Sequence, residues 1–150
     1  IYSGTIAAAI EAAFLGVPSI AVSLHIGKGN PNFDLAAFYA RRTIEKLISR
    51  GLPAPHECLS INIPVTQAED APMPEIRVCP MNTHGLIDQY DRRVSPAGEA
   101  YYWASGHGLD FQSTEPGSDV DALLSRCITV TPLTYDLTNH KTLDRWRSLI

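Results

Sequence analysis

Residues 3–24 read SGTIAAAIEAAFLGVPSIAVSL, and this stretch decides the fold class. Residues 5 to 15 hold neither glycine nor proline and are dominated by alanine, the best helix former. Ser3 is a natural N-cap, and Gly16 can take the left-handed position just past a helix end. Pro18 then stops the helix, and Ser19 to Leu24 reads as a short buried strand. Glu11 is the sole charged residue of the helix, so the pattern predicts a helix buried between other elements. A helix followed closely by an apolar strand is half of a βαβ unit, which needs a preceding parallel strand that residues 1–150 do not supply. The expectation is a piece of something longer, or a cytosolic chain.

The turn at Ser3, Gly4 and Thr5 carries a second expectation. A helix start offers unpaired N–H groups and about half a positive charge. Gly4 lets an oxyanion approach the backbone, and Ser3 and Thr5 add hydroxyl donors, so these residues form a candidate phosphate seat. An ordinary N-cap with a tight turn accounts for the same residues.

Working outward, a glycine- and asparagine-rich loop from His25 to Asn32 leads to Asp34, read as the N-cap of a helix over 35–49. Gly51 and Pro53 close that helix, and residues 59–63 alternate into a strand stopped by Pro64. Val65 to Pro74 is a polar connector. Short strands are expected at 75–79 and 100–104, with a loop or hairpin arm between them that projects from the body. A short helix over 119–125, a strand over 127–131 ended by Pro132, and a terminal helix over 141–149 complete the pattern. No internal repeat or low-complexity segment is found.

The chain has 150 residues, 45% hydrophobic and 19% charged, in the range of one globular domain spanning 1–150. A formal charge of −4 provides no basic stripe for a nucleic-acid polymer. No apolar run reaches the ~18 residues of a membrane span. Cys58, Cys79 and Cys127 are odd in number and widely spaced, which predicts buried free thiols in place of disulfides or a zinc site. The five histidines, at 25, 56, 84, 107 and 140, lack metal-motif spacing and default to surface or loop positions. Asp88/Asp91 and Asp119/Asp121 read as solvated turns or helix caps. Arg92 and Arg93 fit either a substrate phosphate or an exposed loop. Asp136 and His140, four apart, either stack on one helix face or meet across a turn before the last helix, a structural contact in both cases.

Two stretches, YSGTIAAAIE through LGVPSIAVSL at 2–24 and ITVTPLTYDLT at 128–138, closely resemble the SurE family of survival-protein nucleotidases and acid phosphatases. SINIP at 60–64, IRV at 76–78 and DRRVSPAGEAYYW at 91–103 resemble that family in the same order. The resemblance implies an α/β fold: a Rossmann-like, three-layer parallel sheet, here without its N-terminal strands. A projecting β-hairpin arm (about 80–104) and a C-terminal tail helix (about 132–150) would complete it. It implies a phosphomonoesterase dependent on a divalent metal, Mg or Mn, acting on nucleoside monophosphates, and assembly as a homodimer or homotetramer. Ser3, Gly4 and Thr5 would be its phosphate-side contacts, and Asp136 and His140 would belong to an exchanged oligomerisation tail. The family's metal ligands lie in motifs with no counterpart in residues 1–150, so no metal ligand and no certain catalytic residue is assigned here. The chain alone would then be inactive; the alternative is a shortened, non-catalytic nucleotide-binding or oligomerisation module.

Overall fold

The computed structural model describes residues 3–66, 72–85, 87, 89–105 and 111–150. Four helices and six strands are joined in the order α1 (Gly4–Phe14), β1 (Ser19–Leu24), α2 (Phe33–Ile48), β2 (Cys58–Ile63), β3 (Ile76–Val78), β4 (Tyr90–Val94), β5 (Ala100–Ala104), α3 (Asp119–Leu124), β6 (Ile128–Leu133) and α4 (Leu143–Arg147). A single 3-10 turn, His140–Thr142, runs into α4.

α1 is closed at its end by the pattern foreseen for Gly16. The Gly16 amide donates to the Ala13 carbonyl and the Val17 amide to that of Ala12, while Gly16 takes φ +80°. That tight stop turns the chain straight into β1. β1 and β2 lie parallel, in register from Ser19 opposite Cys58 to Leu24 opposite Ile63, with α2 as the crossover. β1, α2 and β2 thus form a βαβ unit, and the class is α/β.

The sheet order is β1-β2-β6-β3, and the parallel sheet implied by the resemblance carries one antiparallel pairing, β2 with β6. β6 runs antiparallel to β2, Cys58 opposite Leu133, and parallel to β3. Pro132 does not end this strand. The amide of Ile128 donates to Glu75 and the Val130 carbonyl accepts from Cys79, so even-numbered residues of β6 turn their backbone toward β3. β3 has finished at Val78, opposite Val130, so Pro132 meets no ladder partner that would need its missing N–H.

Strand alternation places two clusters on the two faces. Ile61, Ile63, Ile128 and Val130 pack with Ala36 and Tyr39 of α2, joined by Ile20, Val22 and Leu24. Ala21 and Cys58, of opposite parity, pack with Ala9 and Ala13 of α1. Three layers result: α2, sheet, α1. A third group, Cys79, Ala122 and Cys127, seats α3. All three cysteines are free and buried.

Three local expectations are corrected. α1 is not buried on every side: Ala9 and Ala13 are covered, but Phe14 and Leu15 are 59% and 70% exposed, because it meets the sheet along one alanine stripe. The cap of α2 is Asn32, whose Oδ1 accepts the Leu35 amide at 2.9 Å; Asp34 lies inside the first turn, where its charge suits the helix dipole. The terminal helix is shorter than expected, and its Trp146 and Leu149 are exposed.

β4 and β5 pair in register from Tyr90 opposite Ala104 to Val94 opposite Ala100, and every residue of both strands is exposed. The turn between them is set by Gly98 at φ +86°, with its amide on the Ser95 carbonyl at 2.9 Å. The arm expected from the sequence is therefore a free-standing hairpin. Among the described residues, no helix is long and apolar enough to cross a membrane.

Candidate functional site

α1 must run antiparallel to β1, since only residues 15–18 join them. Ligands bind an open α/β sheet at the carboxyl ends of its parallel strands, here those of β1 and β2. Ser3, Gly4 and Thr5, which open α1, are all exposed. Ser3 caps the helix, its Oγ accepting the Ile6 amide at 3.3 Å. A Cβ at Gly4 would meet nothing within 4 Å, so the backbone at this turn is open to a ligand. One hydroxyl thus holds one amide of the first turn, as an N-cap does.

The carboxyl ends of β1 and β2 carry a rim. The β1–α2 loop is tied to the exit of β2: the His25 amide donates to Ile63 at 2.9 Å, the Asn32 amide to Thr66 at 3.1 Å, and Thr66 Oγ1 to the Asn32 carbonyl at 2.9 Å. Gly27, at φ +65°, approaches Val65 so closely that a Cβ would lie 2.8 Å from Cγ2. Arg126, in the left-handed region at φ +65°, donates from Nη1 to the Val65 carbonyl at 3.1 Å. A hollow of about 380 Å³ lies beside this rim, lined by Leu35, Tyr39, Pro64, Val65 and Arg126 among others. Burial, and then the Arg126 charge, lower the pKa of His25.

Asp136 and His140 meet across a turn, His140 Nε2 lying 2.6 Å from Asp136 Oδ2. Asp136 Oδ1 accepts the Thr138 amide at 2.8 Å. The His140 hydrogen bond, followed by those of Thr138, holds the Asp136 carboxyl far below the ordinary carboxylate range. The pair is exposed and follows β6, which leaves the sheet at its amino end, so it is not brought to Ser3.

The remaining candidates fall away from the rim. Asp119 and Asp121 sit in the first turn of α3, where Asp121 Oδ2 accepts the Gly117 amide at 2.8 Å, as a capping role requires. Arg93 lies over the Trp103 ring at 5.1 Å, and with Arg92 it belongs to the arm. Asp88 and His107 lie outside the described residues. Among the described residues no group of three or more His, Cys, Asp or Glu could hold a metal ion. The residues at Ser3–Thr5 supply hydroxyls and amides, donors that suit a phosphate.

Two contributors escaped the sequence reading. His56, at φ +71°, places Nδ1 within 3.1 Å of the Ala13 carbonyl and 3.0 Å of the Tyr135 hydroxyl. Asn82, buried, bonds to residues more than 30 positions away. Neither has a local signal, because every partner that matters is distant in sequence.

A family model described as "Survival protein SurE" matches residues 1–87. The chain is 37% identical over 150 residues to a "5'-nucleotidase SurE" of Syntrophus aciditrophicus (strain SB), covering 100% of this chain and 55% of that protein. It is 38% identical over 140 residues to the protein of the same name from Heliobacterium modesticaldum (strain ATCC 51547 / Ice1), covering 93% and 50%. The crystal structure of the Sure protein from Aquifex aeolicus superposes with a TM-score of 0.73 at 31% identity, covering 99% of this chain and 58% of that one. The chain spans about half the length of the curated relatives it matches.

Proposed function

The chain belongs to the survival protein SurE family, and from that premise we propose that it forms one part of a nucleotidase that releases phosphate from nucleoside monophosphates. The observation that carries this is similarity along the whole chain to proteins named 5'-nucleotidase, with an open turn at Gly4. In this reading Ser3, Gly4 and Thr5 receive the phosphoryl oxygens through hydroxyl and amide donors, which stabilise charge that builds on them. The divalent metal implied by the family, Mg or Mn, has no group of three or more His, Cys, Asp or Glu to hold it among the described residues. Its ligands are assigned to sequence outside residues 1–150. The arm and the tail with Asp136 and His140 are the surfaces through which copies would assemble as a dimer or tetramer.

Titration with inorganic phosphate and with AMP, followed by amide chemical shifts, tests the seat. Shifts at Gly4, Thr5 and Ile6 support it; shifts confined to other residues, or none at millimolar ligand, overturn it. Phosphate release with added manganese tests the division of labour. Residues 1–150 are expected to show none, and robust metal-dependent turnover by this chain would refute the assignment of the ligands elsewhere.

A further inference from the structure

Asn82 is buried at the root of the arm, 8% exposed. Its Oδ1 accepts the Glu115 amide at 3.0 Å, and its Nδ2 donates to the carbonyls of His84 and Ser113, each at 3.4 Å. Its own amide donates to Asp119 Oδ1 at 2.8 Å, an oxygen that also accepts the Val120 amide. The Asp119 amide in turn donates to the Pro80 carbonyl at 2.9 Å, and the Gln112 amide to Gly85. The segment entering the arm, 80–85, and the segment leaving it, 111–119, are therefore fastened by these main-chain bonds, by Thr83 Oγ1 on Glu115 Oε1 at 2.8 Å, and by Asn82, whose side chain makes three of the links at once.

We propose that Asn82 is the positioning residue of the arm, fixing the direction in which β4 and β5 leave the body. Both strands are exposed throughout, so the root is where their orientation is set. From the root the constraint passes to the sheet. Asp119 opens α3, Ala122 of α3 packs with Cys79 and Cys127, and the Cys79 amide donates to Val130 of β6 at 3.0 Å. The chemistry selects asparagine: one carbonyl oxygen and one NH2 at the same end of a short side chain satisfy one donor and two acceptors together. Aspartate keeps the acceptor for Glu115 but sets a carboxylate oxygen against two carbonyls. Alanine leaves all three backbone groups without this partner.

The inference rests on the assembly reading only for what the arm is used for; the fastening itself does not depend on it. Residual dipolar couplings of backbone amides in one alignment medium test it. In the unaltered chain the amides of β4 and β5 should share the alignment of β2 and β6. In Asn82→Ala the arm couplings should fall by at least half while those of β2 and β6 persist, and the Glu115 amide should exchange at least tenfold faster. Asn82→Asp, the variant to use if alanine is not tolerated, should fall between the two. Retained arm couplings in Asn82→Ala would overturn the proposal. So would equal loss in arm and sheet, which makes Asn82 an ordinary core residue, or wild-type behaviour of Asn82→Asp. If the arm loosens but sedimentation shows unchanged assembly, the positioning role stands and the assembly reading fails.

Discussion

The Tyr135 hydroxyl lies 3.0 Å from Nδ1 of His56, across 79 residues of sequence. The Tyr135 ring also meets Phe14 edge-on at 5.3 Å, so α1, the β2 approach and the start of the tail converge on one side chain. Tyr135→Phe keeps the ring and loses the hydrogen bond, and should destabilise the chain by about 1 kcal/mol. Tyr135→Ala also removes the aromatic contact and should cost about 1 kcal/mol more. Urea unfolding of the two variants measures both, and equal midpoints for them would show that the hydroxyl alone matters.

Gly27 is required twice over, by its φ of +65° and by its approach to Val65. Gly27→Ala should destabilise by about 1–3 kcal/mol, through left-handed backbone strain and overpacking together. Adding Val65→Ala should recover the overpacking share and leave the strain. A double variant no better than Gly27→Ala in thermal unfolding would show that the contact is not the source of the loss.

Ala13 is fully buried where α1 crosses Cys58, itself fully buried. Ala13→Leu should push the helix off the sheet at a cost of about 1–3 kcal/mol. Ala8→Leu, on the exposed side of the same helix, should stay within about 0.5 kcal/mol of the parent. Comparing their chemical-denaturation midpoints checks that α1 has one working face.

His25 supplies a pH dependence. Its pKa is lowered in the folded chain, so between the ordinary histidine value of 6.5 and the folded value the unfolded chain binds the extra proton. The stability that depends on neutral His25 is complete above pH 6.5 and declines as pH falls below it. Thermal midpoints of the chain and of His25→Gln, taken from pH 8 to 5, should separate accordingly, with the glutamine variant losing less on acidification. Parallel curves would remove His25 from the account.

The fold was legible wherever local pattern governed it. The alanine run, Ser3 and Gly16 specify α1 and its limits, and the turn at 16–18 specifies a strand at Ser19–Leu24. The direction of β6 was not legible, because Ile-Thr-Val-Thr pairs equally well either way and its choice is made by neighbours. Asn32 took the cap assigned to Asp34 because the cap is settled by which oxygen reaches the third amide, a matter of two residues that propensity does not resolve. For the site, the turn at Ser3–Thr5 was readable as a helix start, whereas the rim around Val65 is assembled from residues separated by dozens of positions.

The reversal of β6 has a consequence for traffic through the molecule. Had the last strand followed β2, the tail would have left the sheet beside Ile63 and the rim around Val65. Running the other way, it leaves opposite Cys58, at the far pole, where Tyr135 is moored to His56. The two ends of the sheet are thereby given separate traffic: loops knot together at one, and the tail departs from the other.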